Sequence, residues 1–273
     1  MGIWTFATHA VYPTSQIPVR EYNRIETPHT PLRVPKSSRR SAANGTRTKP
    51  ACSFDMSGRH ALMWSGGKDS ALALNRARKA GIEVARLISF YDSATRRVRF
   101  HSTRVEMLEA QAAAIGIGLR AIPISWPEME ANLTQELSSL RAEEFTGVIF
   151  GDIHLADVRA WYEERVTAAG LEHVEPIWGE PPNLLLEEFI YSGGRAVITC
   201  VDLAKLDEVW LGRVIDERFA SEIGRTGVDA CGENGEYHSF AFAGPVFSKS
   251  LAWTAGERRL DSGFAQLDLT EGG

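Results

Sequence analysis

The sequence predicts an α/β fold, a doubly wound parallel sheet followed by a second, smaller α+β domain. Three observations carry this. From residue 60 onward, short apolar runs alternate with stretches of helical period, a pattern that demands right-handed crossovers and helices on both faces of a parallel sheet. The polar hexapeptide "SGGKDS" (65 to 70) separates the first apolar run from the first helical one, where such sheets place their ligands. The 273-residue chain is 44% hydrophobic and 24% charged, enough to bury a core of this kind.

Taken in order, "HALMW" (60 to 64) reads as a buried strand and "SALALNRARKAG" (70 to 81) as a helix closed by Gly81. "EVARLISF" (83 to 90) is the second strand. "TRVEMLEAQAAAIG" (103 to 116) spaces Val105, Leu108, Ala112 and Ile115 by three and four, an amphipathic helix ending at Gly116. "LRAIPIS" (119 to 125), a helix near 127 to 142, "GVIFGDI" (147 to 153), a helix near 156 to 169 and "HVEPIW" (173 to 178) continue the alternation. The final "SLAWTAGERRLDSGFAQLDL" reads as a strand pair with "ERRLDSG" as its turn region. The expected division is a larger domain over 56 to 180 and a smaller one over 181 to 273.

Residues 1 to 55 are different material. They hold eight basic residues against three acidic ones, a net +5 in a chain of net −5, and "VPKSSRRSAANGTRTKP" has too few apolar residues to offset its ordering entropy. They are expected to be a disordered tail or a misassigned start ahead of Met56, with a transit peptide or an RNA-touching arm as alternatives. No apolar run approaches the roughly 18 residues that a membrane span needs. Cys52, Cys200 and Cys231 are odd in number and form no CxxC pair, which argues against disulfides and zinc and for a reducing cytoplasm.

The hexapeptide carries the chemistry. Gly66 and Gly67 let the backbone turn tightly and approach an anion. The amides of a helix start, with the hydroxyls of Ser65 and Ser70, form an anion cradle, to which Lys68 adds charge. Asp69 would be repelled by bare phosphate and fits if it holds Mg2+. The spacing matches neither GxxxxGK[ST] nor GxGxxG. Asp152, in "GDI", projects at the same sheet edge and is the next metal or substrate contact expected.

"SGGKDS" resembles the S-G-G-x-D-S pyrophosphate loop of the N-type ATP pyrophosphatases, the PP-loop superfamily with the adenine nucleotide alpha hydrolase-like fold. Further stretches, "HSTRVEMLEAQAAAIGIGL", "GDIHLADVRAWYEERVTAAGLEHVEPIWG", "GGRAVITCVD", "LGRVID" and "GVDACGENGEYHSFAFAGPVF", look like the diphthine–ammonia ligase family. The resemblance covers residues 60 to about 250, and "CGENGEYHSF" is its most distinctive part.

The resemblance implies an AMP-forming ligase that adenylates a carboxylate with ATP and Mg2+ and amidates it with ammonium, releasing pyrophosphate. Ser65, Gly66, Gly67, Lys68, Asp69 and Ser70 would hold ATP and its leaving pyrophosphate, with Asp69 and Asp152 on the metal. His101 and Arg104, after the second strand, would touch ATP. Asp69, Glu233, Glu236 and His238 are the implied catalytic set. The two glutamates would hold ammonium, accept its proton or bind a cationic substrate, and "GENGEYHSF" also reads as a polar turn entering a strand. The acceptor is a carboxylate, with diphthine on elongation factor 2 as one candidate. A homodimer would be unsurprising.

Other readings share the loop. A tRNA-modifying pyrophosphatase would usually need a persulfide cysteine or CxxC, and the chain lacks a basic, aromatic-rich patch for nucleic acid. Amidation of another small carboxylate and a non-catalytic ATP-binding module are further alternatives; the intact Asp69 and Asp152 count against the last. His154 and Cys231 read as a loop residue and a packing residue.

Overall fold

A computed structural model describes residues 58 to 99 and 101 to 272; the expectations for residues 1 to 55, Cys52 included, lie outside them. Five parallel strands, β1 (Arg59–Met63), β2 (Glu83–Asp92), β3 (Leu119–Ile124), β4 (Phe145–Ile149) and β5 (Glu172–Val174), stand in the order β3-β2-β1-β4-β5. The crossovers are α1 (Lys68–Lys79), α2 (Val105–Ile115), α3 (Met129–Ala142) and α4 (Ala156–Ala168). Strand order reverses at β1, so the loops leaving β1 and β4 diverge and open a crevice between them.

Three of the boundaries that differ from the sequence reading have a clear physical reason. α1 starts at Lys68, so half of the hexapeptide is the helix's first turn. β4 stops at Ile149: Gly151 is packed so tightly on the start of α1 that an added Cβ would lie 3.1 Å from the Asp69 carbonyl carbon, and the chain has to turn there. β5 ends at Val174, because Pro176 has no N–H for a ladder.

After α5 (Pro182–Tyr191), the chain forms β6 (Arg195–Asp202), α6 (Glu217–Ile223), β7 (Tyr237–Ala243), β8 (Trp253–Asp261) and β9 (Phe264–Glu271). These four strands make a separate antiparallel sheet of order β7-β6-β9-β8. β8 runs through "ERRLD", and only Ser262 and Gly263, both at positive φ, make the turn to β9. This is narrower than the expected turn region. The Asn234-Gly235 turn enters β7 as expected, but β7 pairs with the distant β6.

Helices α1 and α2 are buried on more than one face. Beside the expected Val105, Leu108, Ala112 and Ile115, α2 also buries Met107, Gln111 and Ala114. One apolar core runs from Leu62 and Trp64 through Leu72, Leu74 and Leu108 to Val197, Phe240 and Leu267, so the second sheet packs behind these helices. A second core, with Ala61, Leu133, Leu140, Phe145 and Val166, fills the opposite face. Among the described residues no helix is long and apolar enough to cross a membrane.

Candidate functional site

The loop after β1 is held from behind by the second sheet. Gly66, at φ 80°, is closely packed: a Cβ there would meet Leu108 Cδ2 at 2.6 Å and Gln111 Oε1 at 2.8 Å. Its carbonyl accepts the Ala241 N–H at 2.8 Å and Gln111 Nε2 at 2.9 Å. Gln111 is fully buried. It also donates to the Ala241 carbonyl and accepts Trp64 Nε1–H at 2.8 Å, so one side chain joins β1, the loop, α2 and β7. The expected cradle of open amides is partly spoken for, since Gly67 N–H donates to Ser65 Oγ and Lys68 N–H to Ser239 Oγ, both at 3.2 Å. Ser70 Oγ turns back on the Gly67 carbonyl at 3.0 Å.

Lys68 lies inside rather than on the rim. Its side chain is 3% exposed and its ammonium bonds both Asp69 oxygens, at 2.9 and 2.8 Å. It also donates to the Cys231 carbonyl and sits 5.1 Å from the Tyr237 ring centroid. Burial works against its charge, but Asp69, Tyr237 and Cys231 hold its pKa well above the ordinary lysine value. The loop lysine thus ties α1 to the segment before β7.

That segment is organised by Asp229. Asp229 Oδ1 accepts the Cys231 and Glu233 N–H groups at 2.8 and 3.3 Å. Its Oδ2 pairs with His154 Nε2 at 2.9 Å, so His154 is more than the plain loop residue expected of a lone histidine. Glu233 and Glu236 part company here. Glu233 Oε1 accepts the Ile153 N–H at 2.8 Å, across to the loop after β4. Glu236 is buried, and its Oε1 accepts from Asp229 N–H and Asn234 Nδ2 within its own turn.

Asp69, Asp152 and Glu233 form an electrostatic group. Burial, then the neighbouring Asp69, pushes the Asp152 carboxyl up to about 6. Burial, then Asp69 and Asp152, pushes Glu233 up to about 8. Such crowding of carboxylates beside the 65 to 70 loop is relieved by a cation.

His101 and His238 meet across the two halves, with ring centroids 4.6 Å apart. His101 Nδ1 lies 3.4 Å from the Ser239 carbonyl, to which it can only donate, and burial lowers its pKa to about 4. Its Cε1 would lie 3.1 Å from a Cβ on Gly67, so it stands beside the loop. Arg104 is engaged elsewhere: its Nε bonds Asp268 Oδ1 at 2.9 Å on β9, and Arg97 pairs with the same carboxylate at 2.7 Å. Sequence reasoning missed Gln111, Asp229 and Asp268. Gln111 reaches Ala241, Asp229 reaches His154 and Asp268 reaches Arg104, all far along the chain, and no local spacing marks them.

A diphthamide synthase N-terminal domain model matches residues 58–173, and a diphthamide synthase C-terminal domain model matches residues 181–271. The chain belongs to the diphthine–ammonia ligase family. It is similar to the diphthine–ammonia ligase of Bos taurus, 27% identical over 71% of this chain and 82% of the relative. The Homo sapiens protein of the same name is 25% identical over the same shares, and that of Mus musculus 31% identical over 44% of this chain and 46% of its own. Membership makes this chain an ATP-dependent carbon–nitrogen ligase, and the family's two matched regions are the two that Glu233 and Ile153 join.

Proposed function

We propose that this chain activates a carboxylate by adenylation and amidates it with ammonium, releasing AMP and pyrophosphate. The observation that carries the reading is the convergence of three segments at the sheet's reversal point: the 65 to 70 loop, Asp152 after β4, and Glu233 anchored on the Ile153 amide.

A carboxylate is a poor electrophile, so its oxygen must first attack the α-phosphate of ATP. The loop glycines and the α1 N-terminus bind the phosphates. Charge that develops on the departing pyrophosphate is stabilised by groups already in place. Ser65 and Ser70, which now bond loop atoms, are exchangeable donors to it. Lys68 acts by fixing Asp69, and Glu233 is the group proposed to take a proton from the incoming nitrogen. Glu236 and Asp229 hold the turn that presents Glu233. His101 and His238 contact the nucleotide beside Gly67.

Mg2+ fits the donor set. Asp69 and Asp152 are hard oxygen donors whose mutual repulsion a dication would relieve. Among the described residues no group of three or more His, Cys, Asp or Glu is arranged to hold a metal ion, and Mg2+ commonly completes its shell with water and substrate phosphates. When bound, it would neutralise pyrophosphate charge. The acceptor proposed is diphthine on elongation factor 2, by extension from the names of the relatives, and the compartment proposed is the cytoplasm.

The adenylation half-reaction tests this. With the acceptor protein present and ammonium omitted, labelled pyrophosphate should exchange into ATP. Absence of exchange while ATP still binds would contradict adenylation.

A further inference from the structure

The segment that leaves β5, residues 174 to 179, is a strap along the loop that carries Asp152. Both of its ends are tied to that loop by backbone bonds. Phe150 N–H donates to the Val174 carbonyl at 2.9 Å, and Gly179 N–H donates to the Ile153 carbonyl at 2.7 Å. Gly151 and Asp152 lie between the two tied residues, and Gly151 is packed on the start of α1. The strap therefore sets how closely Asp152 approaches the 65 to 70 loop.

The turn inside the strap is weakly made by its own backbone. Trp178 N–H reaches the Glu175 carbonyl only at 3.4 Å, and Pro176 has no N–H to give. Side chains hold it instead. Ile177 is fully buried, and Arg76 Nη1 on α1 donates to the Pro176 carbonyl at 3.0 Å. From α4, Arg159 grips both ends of the turn: its Nε lies 3.1 Å from Glu175 Oε2, and its guanidinium sits over the Trp178 ring, 4.6 Å from the centroid. The Glu175 side chain is 2% exposed and neither of its oxygens accepts a directed hydrogen bond, so its burial is offset by the Arg159 charge. Helix α4 buries only Val158 and Val166, which makes this polar clamp a large part of its hold on the strap.

We propose that Arg159 is a positioning residue for this reaction: by clamping Glu175 and Trp178 it fixes the strap, and through the strap the Asp152 loop against the 65 to 70 loop. The inference rests on the reading of Asp152 as a metal contact given above. The bond from Ile153 N–H to Glu233 holds the Asp152 loop from its other side, so loss of Arg159 loosens the loop without releasing it. The 65 to 70 loop is fastened separately, through Gln111 and Ser239, and keeps its shape.

The test combines hydrogen exchange of the full chain, followed amide by amide by NMR, with calorimetry of ATP binding at increasing Mg2+. Arg159→Met keeps an apolar stem over Trp178 and removes the charge. It should speed exchange of the Phe150 and Gly179 amides about tenfold while the Ala241 amide, bonded to Gly66, stays within about twofold. The Mg2+ concentration that half-saturates the ATP complex should rise about tenfold, with ATP affinity in the absence of Mg2+ unchanged within about twofold. Arg159→Lys, which keeps the charge, should recover most of both. If Arg159→Met fails to fold, Arg159→Met combined with Glu175→Gln strands no buried charge and should show the same two changes. Unchanged exchange at Phe150 and Gly179 overturns the proposal, as does faster exchange with an unchanged Mg2+ requirement while Asp152→Asn raises that requirement. An Asp152→Asn variant that needs no more Mg2+ than the unaltered chain would instead strike the reading of Asp152.

Discussion

Glu233, from the turn before β7, accepts the backbone N–H of Ile153, in the loop after β4, at 2.8 Å. This one bond joins the two regions matched by the family models, and it places a carboxyl of pKa about 8 beside Asp152.

The pH dependence of stability follows from that value. Burial and the nearby Asp69 and Asp152 raise the folded-state pKa above the unfolded 4.5, so the contribution of Glu233 is fully present below about pH 4.5 and is lost as pH rises through 8. Glu233→Gln keeps an oxygen for the Ile153 amide and removes the charge. It should melt at a higher temperature than the unaltered chain at pH 9 and show no such gain at pH 5, while amidation falls about 100-fold or more. Glu236→Gln, confined to its own turn, should cost less activity. Equal losses from both variants in amidation assays would refute the division between them.

The Lys68–Asp69 pair makes a second prediction. Asp69→Asn leaves a buried ammonium without its carboxylate, and breaking such a pair costs about 3 kcal/mol. The sequence alone suggests that this variant folds as before and only loses turnover; the structure predicts that it also melts earlier. Lys68→Met combined with Asp69→Asn should recover most of the melting temperature in calorimetry and none of the turnover.

These two cases show what was legible in the sequence. The parallel sheet, its helices and the loop between β1 and α1 follow from periodicity and from six consecutive residues, because both signals are local. The inward position of Lys68 does not, since it depends on Tyr237 and on the Cys231 carbonyl, the latter 163 residues away. Gln111 sits in a stretch whose apolar spacing is plain in the sequence, yet its role comes from Gly66 and Ala241. The resemblance implies contact with ATP for Arg104; its bond to Asp268 depends on β9 of the second sheet, 164 residues away.

Gln111 is the positioning residue whose loss should be most informative. Gln111→Leu keeps the size and leaves Trp64 Nε1–H, buried beside it, without an acceptor, at a cost of about 1–3 kcal/mol. Through the Gly66 carbonyl it should also raise the KM for ATP about tenfold while the KM for ammonium stays constant. A variant that melts earlier with an unchanged KM for ATP would reduce Gln111 to a packing role.

Asp268 gives an acid-side prediction. Burial opposes its charge, but hydrogen bonds from Arg104 and Arg97 hold its carboxyl well below the ordinary 3.8. Its stabilising contribution is therefore present above about pH 4 and is lost as pH falls through the depressed value. Asp268→Asn should destabilise the chain by about 3 kcal/mol at neutral pH and flatten the acid limb of a denaturation curve followed by circular dichroism.

The most direct measurement of the central claim is the identity of the nucleotide product. The full chain is incubated with ATP, Mg2+, ammonium and a panel of carboxylate acceptors that includes diphthine-bearing elongation factor 2. AMP and pyrophosphate that form together, rise with one acceptor and disappear in Asp69→Asn are the predicted result. ADP and inorganic phosphate as products would contradict it.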